Sequence, residues 1–276
     1  MKRLSIALAA SAFLSIFYAQ LSTAFAQGSL TPSAPPAPAM LTLTQVEPRT
    51  PVDATHTPGN GSDTFIISQP GSYYLTTNIY VPGLWGIGVA TNNVTVDLQG
   101  FSIIGPNSGG GIQVLGNRVA VKNGMIRNCN SLPGIDASVA SGCDFENLNV
   151  ISNYAGIRAG TLAIVRNCIA SQSTGGEGIG CYSGDVITGN LADHNNNGGI
   201  YIYGTGNRIE DNEVFSNSFY GILPANISAS NNVVVGNSIC GPSPIIAGPH
   251  WIMGPLIDST SVGTNSNPNA NYNMDQ

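Results

Sequence analysis

The chain has 276 residues and a formal charge of −6, with only 9% charged side chains and 34 glycines. So few Lys and Arg exclude a protein that neutralises nucleic-acid phosphates, and an apolar content of 42% excludes a disordered polar polymer. Gly and Asn fill the deficit in charge, which fits repeated tight turns and polar ladders.

The N-terminus reads Met1-Lys2-Arg3, then an apolar run from Leu4 to Phe17, then Thr23-Ala24-Phe25-Ala26. A basic start, a short apolar stretch and an Ala-x-Ala ending predict a signal peptide over 1–26, cleaved after Ala26. A membrane anchor is the competing reading, but the run is shorter than the ~20 apolar residues a span needs. No later segment is long and apolar enough to replace it. The mature protein is therefore expected to be secreted or periplasmic, with no membrane span and no nucleic-acid partner. Without Lys2 and Arg3 it carries 7 basic and 15 acidic residues, a charge of −8.

Residues 27–62 form a Pro/Ala-rich arm, in which Pro32, Pro35, Pro36 and Pro38 prevent regular structure. Within it, Leu41 to Pro51 has the apolar and charged character of a segment that docks on a neighbouring domain. From Asp63 to Val81, alternating strand patterns flank the turn Gln69-Pro70-Gly71-Ser72 and are expected to lead into and cap the first coil.

A repeat then takes over. Gly-Ile pairs recur at Gly86, Gly111, Gly134, Gly156, Gly178, Gly199 and Gly221, separated by 25, 23, 22, 22, 21 and 22 residues. A period of about 22 residues suits one circuit of a parallel β-helix, in which short strands and turns close a coil and the next coil lies on top. The fold class predicted is all-β: a parallel β-helix of about seven coils over 63–241, with the isoleucines stacked inside.

A second segment in each coil ends at asparagine in six coils: Asn123, Asn147, Asn167, Asn190, Asn212 and Asn237. Asparagine tolerates a left-handed corner, and its amide can bond the amides above and below, so an internal asparagine ladder is expected there. Just before it, Asp97, Lys122, Glu146 and Arg166 alternate in sign on rungs ~4.8 Å apart. This row reads as register control, each pair contributing about 0.2–1 kcal/mol.

Cys129, Cys143, Cys168, Cys181 and Cys240 share no vertical column and read as mostly buried single thiols. No Cys/His spacing resembles a zinc site, and His194 reads as a solvated turn histidine. Past Cys240, residues 242–276 form a cap and polar tail, with Ile245, Ile246, Trp251 and Ile252 suited to covering the open end.

The Gly-Ile and Asn columns resemble the right-handed parallel β-helix superfamily, the pectate-lyase-like fold, over about Asp63 to Asn237. With Glu47-Pro48-Arg49-Thr50-Pro51 and Gln69-Pro70-Gly71-Ser72-Tyr73-Tyr74-Leu75, the chain also looks like exported bacterial β-helix repeat proteins without an assigned activity. The resemblance implies a polysaccharide lyase, a glycoside hydrolase or an adhesin, acting on polysaccharide or cell-surface glycan. It also admits Ca2+, although the residues themselves point to no cofactor and no metal site. The Asp-Asp and Gly-His-Gly elements of polygalacturonase-like hydrolases are missing.

Two columns beyond the Gly-Ile pairs carry candidate chemistry. Two residues past each glycine stand Gly88, Gln113, Asp136, Arg158, Gly180, Tyr201 and Leu223. Asp136 and Arg158 would be neighbours, with Glu177 close by: a catalytic acid beside a base or charge clamp on one reading, a surface ion pair on the other. Four residues past each glycine, Tyr182 and Tyr203 stack with Tyr201 beside them. They read as a carbohydrate-binding surface or a structural aromatic ladder. The leading expectation is an exported β-helix protein that binds carbohydrate on an outer sheet face. The alternatives are a lyase or hydrolase of the same fold, or a structural or adhesive surface protein.

Overall fold

The computed structural model describes residues 48–225 and 229–240, together with the backbone of 252–253 and 272–273. The segments expected to form the leader, the arm through Glu47 and most of the C-terminal cap lie outside the described residues.

The described chain winds as a parallel β-helix. Each coil gives one strand to an eight-stranded sheet and further strands to a seventeen-stranded sheet. In the eight-stranded sheet Ile87, Ile112, Ile135, Ile157, Ile179, Ile200 and Ile222 stand in continuous register. All seven are fully buried, so the repeated dipeptide is the core of the stack. The glycines before the first six isoleucines, Gly86 to Gly199, are close-approach residues. A Cβ on Gly178 would sit 2.8 Å from the Gly199 carbonyl oxygen, and one on Gly199 would sit 2.8 Å from that of Gly221.

Below Ile87 lies one more coil. Asp63–Ile67 pairs with Trp85–Val89, Gly71–Tyr74 with Val94–Asp97, and Ile79–Tyr80 with Ser102–Ile104. The segment expected to cap the first coil is itself a full coil, with Phe65 in the isoleucine column. Beneath it, Thr50–Pro51 pairs with Tyr73–Tyr74, so the end of the arm docks as expected. Arg49 fastens this join: its guanidinium lies 4.9 Å from the Tyr74 ring centroid and its Nη1 is 3.2 Å from Asp97 Oδ2. At the other end, Ile252–Met253 pairs with Val233–Val234 and antiparallel to Tyr272–Asn273.

The charge row falls in register, Asp97 against Lys122, Lys122 against Glu146, and Glu146 against Arg166. Arg166 bridges two carboxylates, Asp144 at 2.9 Å and Glu146 at 3.1 Å.

The six asparagines divide into two columns rather than forming one ladder. Asn123, Asn147 and Asn167 occupy left-handed corners, with φ of 61°, 53° and 54°. Asn190, Asn212 and Asn237 stand one position further on, because Gly189, Asp211 and Gly236 take the corner in those coils. These three are buried, and the N–H of Asn190 donates to Asn212 Oδ1 and that of Asn212 to Asn237 Oδ1, both at 2.9 Å. Two more internal ladders accompany them. In one, Asn195 N–H donates to Asn217 Oδ1 at 2.9 Å; in the other, Asp185 N–H donates to Asn207 Oδ1 and Asn207 N–H to Asn232 Oδ1, each at 2.9 Å. Stacked amides satisfy the backbone groups that a turn would otherwise bury without partners.

All five cysteines are unpaired, and four are buried. Burial pushes the Cys129 thiol up to about 11 and that of Cys168 to about 12, so neither is a reactive thiolate.

Candidate functional site

The column expected to face outward does so. Asp136 pairs across the sheet with Arg158, Arg158 with Gly180, Gly180 with Tyr201, and Tyr201 with Leu223. Their isoleucine neighbours point inward, and strand alternation therefore sends these side chains out.

Arg158 hydrogen-bonds Glu177 rather than Asp136: its Nε donates to Glu177 Oε1 at 2.9 Å. The Glu177 side chain is only 3% exposed. It reaches that depth because Gly180 leaves a gap, where a Cβ would sit 3.0 Å from Glu177 Oε1 and 3.1 Å from Tyr203 Cε2. Tyr203 closes the other side, its hydroxyl donating to the same Glu177 oxygen at 3.2 Å. Burial works against the Arg158 charge, but Glu177 outweighs it and holds the guanidinium above its ordinary value. Burial also pushes the Tyr203 hydroxyl up, reinforced by the Glu177 charge, so it stays a donor. Asp136 accepts the Ser138 N–H at 3.1 Å and reaches Arg158 as a through-space charge.

The three tyrosines come together. Tyr182 and Tyr203 stack with centroids 4.9 Å apart and planes at 25°, and Tyr201 lies 5.2 Å from Tyr203 at 47°. All three are half-buried, each ring exposing part of its surface. One coil beyond, Phe219 is exposed and packs 6.4 Å from Tyr220, whose strand borders that of Tyr201. Burial raises the Tyr182 hydroxyl as well.

Sequence reasoning missed the group that positions Tyr182. Asp185 is fully buried, and its Oδ2 accepts the Tyr182 N–H at 2.6 Å while its Oδ1 accepts the Ala163 N–H at 2.8 Å. Asn207 Nδ2 donates to the Tyr182 carbonyl at 2.9 Å, so both backbone groups of the tyrosine are held by the ladder. The signal available was an acidic residue, Asp185, 22 positions before an asparagine.

Two histidines take no part. His56 Nδ1 lies 2.8 Å from Asp53 Oδ1, and His194 Nδ1 lies 2.7 Å from Asp193 Oδ2, both at exposed turns away from the column. A groove of about 400 Å³ at a corner of the other sheet, lined by Gly100, Met125, Asn147, Asn149, Asn167 and Ile169, contains no titratable side chain.

Among solved structures, the chain is similar to the Dettilon tailspike protein, with a TM-score of 0.55 and 16% identity. The match covers 64% of this chain and 42% of the tailspike, so it spans less than half of that protein and is a likeness of fold. No curated protein matches by sequence. A family model described as "Periplasmic copper-binding protein (NosD)" matches residues 62–243. The described coils do not fit a copper centre: among the described residues no three His, Cys, Asp or Glu side chains converge. The buried thiols, moreover, are held protonated. The family match nonetheless spans 182 of the 276 residues and nearly every coil described above, and the chain belongs to the NosD family, right-handed β-helix proteins.

Proposed function

We propose that this is an exported β-helix protein that binds carbohydrate on the outer face of its eight-stranded sheet. Tyr182, Tyr201 and Tyr203 hold the sugar rings, and Asp136 and Arg158 orient them. The tyrosine cluster carries the reading: three half-buried rings within 5.2 Å of a neighbour present apolar faces beside hydroxyls, the surface a sugar ring needs. The backbone of Tyr182 is held from beneath by Asp185 and Asn207, which gives that ring the rigidity of a preorganised site.

An exported location accords with the family's periplasmic description and with the sequence of residues 1–26. We read 27–62 as an arm, 63–241 as the coils and 242–276 as a cap. A lyase in which Arg158 removes a proton is disfavoured, because Glu177 strengthens its hold on that proton. Binding without turnover is therefore the expected behaviour.

The test is retention on a glycan array by wild type and by the Tyr182→Ala, Tyr201→Ala, Tyr203→Ala triple variant. Wild type should bind and the triple variant should lose at least about tenfold in affinity, the scale expected for stacked aromatic anchors. Undiminished binding by the triple variant would remove the site. Rising ultraviolet absorbance on uronic-acid polymers, abolished in Arg158→Ala, would replace the binding reading by a lyase.

A further inference from the structure

We infer that the glycan this face accepts is neutral, a polymer of uncharged sugar rings without carboxylate or sulfate groups; the inference rests on the carbohydrate reading above and sharpens it. The distribution of charge over the two sheets carries it. Of the seven Lys and Arg among the described residues, six lie on the seventeen-stranded sheet or beside its strands: Arg49, Arg118, Lys122, Arg127, Arg166 and Arg208. Arg158 alone stands on the eight-stranded sheet. That side also carries Asp63, Asp136 and Glu177, three carboxylates against one guanidinium, a net charge of −2.

The charge of the single cation is already compensated through its Nε. Arg158 Nε is bound 2.9 Å from Glu177 Oε1, and Tyr203 donates to the same oxygen. A uronate or sulfate group that drew the guanidinium away would leave a nearly fully buried carboxylate without its counter-charge, which is costly. What the face offers instead is ring surface, tyrosine hydroxyls and the Arg158 Nη groups, which donate to no protein acceptor among the described residues. These suit hydroxyl-rich uncharged rings.

The experiment is depletion binding of the mature protein against galactan, mannan and β-glucan as neutral polymers and polygalacturonate and alginate as anionic ones, at low and high salt. The expected result is retention on at least one neutral polymer at least about tenfold stronger than on either anionic one, and unchanged by salt. Glu177→Gln keeps an acceptor for Arg158 Nε but removes the compensating charge, and should raise retention on polygalacturonate about tenfold in a salt-sensitive manner. Should that variant fail to fold, the wild-type salt series decides. Wild-type retention on the anionic polymers equal to or above that on the neutral ones, lost at high salt and in the triple tyrosine variant, would overturn the inference and leave the carbohydrate reading standing. Retention on no polymer would remove both.

Discussion

Replacing Asp185 by asparagine should make the stability difference between variant and wild type change sign with pH. The Asp185 carboxyl is fully buried, and burial pushes its pKa from 3.8 up to about 6, against the opposing effect of the Ala163 and Tyr182 N–H bonds. A rise of about two units corresponds to about 3 kcal/mol. The folded form prefers the protonated acid, so this contribution is fully present below pH 3.8 and is lost as pH rises to about 6. Asparagine does not titrate. Its amide, however, cannot accept the Tyr182 N–H bond, which costs about 1 kcal/mol at every pH. The variant should therefore be less stable than wild type by about 1 kcal/mol near pH 3 and more stable by about 2 kcal/mol near pH 7. Urea denaturation followed by circular dichroism across this range measures both. Glu146 and Asp53, with lowered pKa values, and Asp63, with a raised one, are common to both proteins and cancel in the difference. A difference that stays flat between these pH values would refute the argument that burial raises the Asp185 pKa.

Gly178→Ala should destabilise the coils by about 2 kcal/mol or more, because its Cβ would sit 2.5 Å from Asn195 Nδ2 and 2.8 Å from the Gly199 oxygen; the shift in urea midpoint measures it. Asn212→Ala should cost about 3 kcal/mol, since it removes the acceptor for Asn190 N–H and the donor to the Ile187 carbonyl, both buried; thermal melting checks it. Leu162→Gly should stabilise by about 1 kcal/mol. The leucine is 64% exposed and held at φ of 53°, a conformation glycine adopts without strain, and a raised melting temperature would register the gain.

The coil was legible in the sequence because Gly-Ile records two demands at once, a buried side chain and a backbone close enough to its neighbour to refuse a Cβ. The first coil escaped the same search because Thr64-Phe65 places a partly buried ring in the isoleucine column with no glycine before it. The asparagines were visible but misassigned: corner and interior positions differ by one residue, less than the natural variation in coil length. Similarly, spacing put Arg158 beside Asp136, whereas its choice of Glu177 depends on the missing side chain at Gly180, one coil above. The tyrosine cluster was readable because its members lie an even number of residues past the glycines. Its anchorage by Asp185 involves a turn whose path no periodicity specifies.

Cohesion between coils changes in kind along the molecule. Positions held in the later coils by Asp185 and Asn207, or by Asn190 and Asn212, are held in earlier ones by Cys143 and Ala163, or by Leu148 and Cys168. Grease tolerates sliding; an amide chain indexed oxygen to nitrogen does not. The ladder amides pair across 22 residues from Asn190 to Asn212 and across 25 from Asn212 to Asn237, so a coil that lengthens there does so in its loops while the indexed amides keep their partners. The aromatic patch is mounted where each coil is tied to the next by indexed amides, so a shift of register there would break bonds rather than merely repack side chains.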